Sequence, residues 1–256
     1  MDQTANITDP DPLPGGTVPW RWDNKENPGA TSLALEANQL FSLLNPTLIK
    51  GKGLTIQFIG PTEGVGTSTM AREFALASLQ HADGGVMLLD FDWKGSGHFH
   101  HFNQHKQAQR LGEPGPAQSI GVDPAEIVRM PSSQGPSDPD HDEVSFHRIG
   151  ETPLLVSHLV NRQAQPTLRN QPEFWRRLRK AATLTVVDSP PANRSSDGLV
   201  ICGMMDVVIL VVEAEHTRVP VIESLKSKLA AQGAAVAGVV FNKRKFYIPK
   251  LVYRWL

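Results

Sequence analysis

Cysteine is all but missing from this chain of 256 residues; Cys202 is the single one, so no disulfide can form within it. That fits a reducing compartment. An excess of either charge is also missing. There are 25 Lys and Arg against 26 Asp and Glu, and the net charge of −1 gives no electrostatic reason to expect nucleic acid or an anionic membrane as a bulk partner. No apolar run approaches the ~20 residues of a membrane-crossing helix. The opening residues, MDQTANITDPDPLPGG, are acidic and rich in Pro and Gly, unlike the Arg-flanked apolar core of a secretion signal. A soluble, cytoplasmic protein is the expectation. Tyrosine is scarce too, with only Tyr247 and Tyr253.

The chain does have enough apolar residues, 40%, for one sizeable α/β core. Its organising stretch is LTIQFIGPTEGVGTST, Leu54 to Thr69. An apolar, partly β-branched run enters a glycine-rich turn, and a helical pattern follows from Ser68 to about Gln80. Glycines 60, 64 and 66 permit a tight turn close to an anion. The backbone N–H groups of Gly60, Glu63, Gly64, Val65, Gly66, Thr67, Ser68 and Thr69 are candidates to cradle phosphate, assisted by the helix dipole. The usual phosphate loop ends in G-K-[ST]. Here Thr67 follows Gly66, so the lysine is lacking, and Glu63 adds a carboxylate that repels phosphate.

Around this stretch, residues 1–30 read as a flexible tail in which Trp20 and Trp22 stand out. Thr31 to about Leu48 reads as an amphipathic helix. Buried strands are predicted at Val86 to Phe91, about Leu154 to Ser157, Leu184 to Asp188, Asp206 to Val212 and Val236 to Phe241, with helices at Glu173 to Lys180 and Pro220 to Gln232. An irregular insertion is expected at about 112–145, and a basic-aromatic tail at 245–256, inside or beyond a domain spanning 31–244. Alternating strands and helices predict a mostly parallel central sheet flanked by helices on both faces. Ligands of such folds bind at the carboxyl ends of strands. The glycine loop, Asp90, Asp92, Asp188 and Asn242 all fall there. Ser68, Asp90 and Asp188 are candidate Mg²⁺ ligands, with Asp92 a further metal or water contact.

The order of a glycine loop, LLDFD, LTVVDSPP, DVVILVVEAEHTR and GVVFNKR resembles the cytoplasmic ATPase domain of bacterial tyrosine kinases and related exopolysaccharide-synthesis proteins, in the MinD/ParA-like branch of P-loop ATPases. The resemblance spans about Leu33 to Arg244. It implies a three-layer P-loop fold that binds ATP or ADP with Mg²⁺, weakened here by the missing lysine. In its terms Asp90, Asp92 and Asp188 are the catalytic acidic residues, Ser68 the Mg²⁺ hydroxyl and Asn242 the base contact. It also implies a membrane-bound polysaccharide co-polymerase or synthase as partner, homo-oligomerisation, no nucleic acid, and a peripheral place at the inner membrane through that partner.

Departures from the pattern shape the functional expectation. Thr62 and Thr67 occupy both lysine positions of the loop, Gln39 and Ser42 stand where assembly arginines would be, and two tyrosines are not the kinases' tyrosine-rich tail. A regulatory or scaffolding protein with a degenerate site is expected. The alternative is an active ATPase or autophosphorylating kinase with a displaced cation, for which Lys50, Lys52, Arg72 and Lys94 are the candidates. His98, His100, His101 and His105 lack a recognisable metal-ligand pattern and read as a polar face. Cys202, in an apolar setting, reads as core.

Overall fold

The computed structural model describes residues 37, 39–44, 53–80, 84–94, 97–104, 111–123, 126–129, 144–159 and 166–244. The predicted tails at 1–30 and 245–256, with Trp20, Trp22, Tyr247 and Tyr253, lie outside these, as do Lys50, Lys52 and His105. Ten strands and six α-helices are described, with a short 3₁₀ turn at Cys202–Met204. In chain order they are α1 (39–44), β1 (Leu54–Ile59), α2 (Thr67–Ser78), β2 (Val86–Asp90), α3 (His98–Gln104), β3 (Pro114–Gln118), β4 (Val128–Arg129), β5 (Val144–Ile149) and β6 (Leu154–Leu159). Then follow β7 (Thr167–Leu168), α4 (Pro172–Ala181), β8 (Leu184–Asp188), α5 (Asp197–Ile201), β9 (Val207–Glu213), α6 (Val219–Ala231) and β10 (Val236–Asn242).

Eight strands form one sheet in the order β10-β9-β1-β8-β2-β6-β5-β3. The six strands from β10 to β6 run parallel, and β5 and β3 add an antiparallel edge. The period-two alternation of each strand sends its side chains to opposite cores. Ile56, Phe58, Val186 and Ile209 meet Phe41 of α1, Met70 and Phe74 of α2 and Phe102 of α3. On the other side, Met87, Val187, Val208 and Leu210 meet Phe174, Trp175 and Leu178 of α4, Ile201 of α5, and Leu225 and Leu229 of α6. Covering both faces explains why β8 and β9 read as continuous apolar runs.

Two regions differ from the sequence reading. The expected irregular insertion holds β3 and β4. Pro114 and Pro116 hid β3, but on a sheet edge a residue without an N–H is tolerated. The polar, histidine-rich stretch after Trp93 contains the helix α3, anchored by the fully buried Phe102.

Candidate functional site

The strand order decides what meets at the carboxyl edge. β1 lies between β8 and β9, and Asp90 at the end of β2 pairs in register with Asp188 at the end of β8. The two carboxylates are therefore neighbours beside the glycine loop, as the sequence reading expected of strand ends.

The loop turns through two left-handed glycines, Gly64 at φ 80° and Gly66 at φ 92°, the latter serving as the N-cap of α2. No side chain caps that helix and no acidic residue sits in its first turn. Its positive end thus faces the loop, the arrangement that suits an anion. Ser68 and Thr69 belong to this first turn. The charge, however, is missing. Thr67 is buried, and its Oγ1 would stand 2.6 Å from a Cβ placed on Gly60, so the side chain at the lysine position folds back over the start of the loop. Val65 is buried at the same place, its Cγ2 2.5 Å from that Cβ position. The segment after Asp188 is laced to the loop by backbone bonds from Ala192 N–H to the Gly60 carbonyl at 2.9 Å and from Asn193 N–H to the Pro61 carbonyl at 3.1 Å.

Three side chains engage the groups that sequence reasoning assigned to a nucleotide. Asn242 donates from Nδ2 to the Val65 carbonyl at 2.9 Å, and its Oδ1 accepts from the Lys243 N–H at 2.8 Å. Each end of its amide makes a bond within the protein, and the side chain braces the loop. Arg194 forms ion pairs with Asp92 and, at 3.3 Å, with the exposed Glu63. Glu63 thus faces a guanidinium.

His98 corrects the expectation of a polar histidine face. It is 1% exposed, and its Nε2 lies 3.0 Å from Oδ2 of the equally buried Asp188. Its backbone N–H donates to Asp90 Oδ2 at 2.9 Å, while Asp90 Oδ1 accepts from the Asp92 N–H at 3.1 Å. His100 lies elsewhere, edge-on to His158, whose ring stacks on Phe99. Burial pushes the Asp90 carboxyl up to about 6; the His98 charge opposes this and the Asp188 charge adds to it.

Arg72, on α2, is a candidate for the displaced cation among the described residues. Burial lowers its pKa, and the fields of Glu73, Asp188 and Asp90 raise it in return. Its buried Nε has no hydrogen-bond partner. Lys94 is exposed and lines a pocket with Asp92, Trp93, Thr167 and Arg194. Cys202 is buried, and burial raises its thiol pKa.

Of the residues predicted, the structure brings together the loop, Asp90, Asp92, Asp188 and Asn242. It adds His98 and Arg194, whose roles the sequence did not reveal. Arg194 had one usable signal, its place six residues after Asp188 in a Pro-Pro turn. The backbone of the loop fits a phosphate, and Ser68, Asp90 and Asp188 are the oxygen donors that would hold a divalent ion beside it. Mg²⁺ prefers an all-oxygen, largely hydrated shell. The imidazole of His98, set against Asp188, does not match that preference.

No protein-family model and no curated protein sequence matches the chain. Solved structures do. The VpsO kinase domain aligns over 84% of this chain and 96% of its own, with 20% identity and a TM-score of 0.54. The chimeric protein CapA2B2 aligns over 88% of each chain at 16% identity, TM-score 0.53. The kinase domain of the Escherichia coli tyrosine kinase ETK aligns over 84% of this chain and 79% of its own at 16% identity, TM-score 0.51. At these identities the likeness is one of fold. The chain shares its fold with these kinase domains.

Proposed function

We propose that this protein is a regulatory or scaffolding relative of the bacterial tyrosine kinases, with a degenerate nucleotide site. Its role would be to bind a membrane-bound polysaccharide co-polymerase or synthase and so regulate synthesis and export of an exopolysaccharide. The motif order and the fold support the kinase-like ancestry. One observation carries the non-catalytic reading: Thr67 replaces the loop lysine and turns back toward Gly60. Phosphoryl transfer depends on fixed charges around the phosphates, and removing one such group commonly costs ~2.7–4 kcal/mol, a hundredfold to a thousandfold in rate. The contacts of Arg194 with Asp92 and Glu63 and of Asn242 with Val65 support the same reading, since they use residues that the sequence reading assigned to a nucleotide or its metal.

ATP or ADP would then bind weakly, through loop N–H groups alone. Calorimetric titration of the full chain with Thr67→Lys tests this. Higher affinity for ATP than in the wild type is expected, because the added lysine would supply the charge that the loop N–H groups lack. Unchanged affinity would contradict it.

A second reading, a working ATPase or kinase, is favoured by Arg72, a buried cation on which the fields of Asp90 and Asp188 act. On that reading Arg72→Ala should abolish phosphate release by the wild-type protein. On the first there is little release to abolish.

A further inference from the structure

We propose that Asp90, His98 and Asp188 form a binding site for a transition-metal ion such as Zn²⁺ or Co²⁺, independent of any nucleotide. The donor atoms of the three side chains all lie within 4.8 Å of one another. Ligands held ~2.0–2.2 Å from a zinc ion stand roughly 3.3 Å apart in a tetrahedral arrangement, so adjustments on the order of 1 Å would close the site. His98 and Asp188 are each 1% exposed, and both have an atom with no hydrogen-bond partner, Nδ1 of the histidine and Oδ1 of the aspartate. A buried carboxylate oxygen with no donor is costly unless something positive reaches it.

The surroundings favour an ion at this point. Two carboxylates end adjacent strands in register, and His98 bonds to each of them, through its backbone N–H to Asp90 and its ring to Asp188. The backbone bonds to both oxygens of Asp90 fix that carboxylate in place. Asp90 remains partly exposed and lines a small pocket with Asp92, Trp93 and Ser157.

Ligand chemistry separates this site from a magnesium site. Imidazole suits zinc, copper, iron and nickel, whereas magnesium selects oxygen and water. Binding through Nε2 would use the neutral ring with its proton on Nδ1, which leaves the Nε2 lone pair for the ion.

The test uses the full chain without nucleotide. Zn²⁺ and Co²⁺ are titrated by calorimetry, and the visible spectrum of the Co²⁺ form is recorded. One bound ion is expected, with a spectrum typical of low coordination. His98→Gln and Asp188→Asn should each lower affinity by at least the ~10–100-fold that loss of an outer-shell partner costs. A variant with His100, His101 and His158 all changed to Ala should retain the site. Loss of binding in that variant but not in His98→Gln would overturn the proposal, as would binding of Mg²⁺ as tightly as Zn²⁺. Should His98→Gln fail to fold, the imidazole nitrogen resonances of the wild type decide by NMR. A Zn²⁺-induced shift at His98 is expected, and shifts confined to other histidines would contradict it.

Discussion

The side-chain amide of Asn242, at the end of β10, donates a hydrogen bond to the carbonyl of Val65 in the glycine loop at 2.9 Å. The loop is therefore pinned by the far edge of the parallel sheet, 177 residues away in sequence. Gly66 makes the contact feasible, because a Cβ there would lie 2.1 Å from Asn242 Nδ2. Asn242→Ala should lower the unfolding free energy by ~1–3 kcal/mol, the cost of leaving a buried polar group without its partner. Urea unfolding measures this. Hydrogen exchange over the loop should quicken in the same variant; unchanged protection there would show that the loop holds itself.

Arg194 offers two ion pairs of unequal worth. Asp92 is 12% exposed and Glu63 is 76% exposed. An exposed pair contributes ~0–1 kcal/mol, so Glu63→Gln should be close to neutral. Arg194→Ala also removes the guanidinium from the more buried Asp92 and should cost ~1–3 kcal/mol. Equal effects of the two substitutions in denaturant melts would contradict this ranking.

Asp90 makes stability depend on pH in a direction opposite to that of most carboxylates. Its pKa is raised to about 6 by burial first, with His98 opposing and Asp188 adding. The native state therefore binds the proton more tightly than an unfolded chain, in which aspartate titrates near ~3.9. Between about pH 4 and pH 6 the native state holds more protons, so Asp90's contribution to stability falls as pH rises and is level above that window. Relative to wild type, Asp90→Asn should gain stability from pH 4 to pH 7. Because Asp90 is partly exposed, ~3 kcal/mol is an upper limit to that gain. Parallel pH profiles of melting temperature in the two proteins would refute it.

A polar clamp on the other face ties three elements together. Asp206 Oδ2 accepts from Thr55 N–H at 2.8 Å, Thr55 Oγ1 at 2.7 Å and Arg179 Nε at 2.9 Å. Burial of Asp206 opposes its ionisation, but these donors outweigh it and lower the pKa. Its contribution is therefore present above the unfolded-state pKa and lost as pH falls through the lower native value. Asp206→Ala should cost ~1–3 kcal/mol at neutral pH. A loss that persists undiminished in strong acid would place the cause elsewhere.

The central sheet was legible because its strands are buried on both faces. VMLLD, LTVVD and VVILVV leave little room for another reading, and α4 is marked by Phe174, Trp175 and Leu178 at helical spacing. Edge elements were not legible. β3 carries two prolines, and β5 alternates too weakly to announce a strand without its partner β6. The acidic residues of the site could be found, since aspartates that end apolar runs are conspicuous. His98 could not. Its role arises only when α3 lies on the sheet with Phe102 as anchor, which delivers the ring to Asp188 across 90 residues.

The most direct test of the account is phosphate release by the purified full chain with ATP and Mg²⁺, beside Asp188→Asn. The account predicts negligible turnover in both proteins, because no loop lysine reaches the phosphates and Asp188 is engaged by His98. Rapid hydrolysis by the wild type that disappears in Asp188→Asn would contradict it.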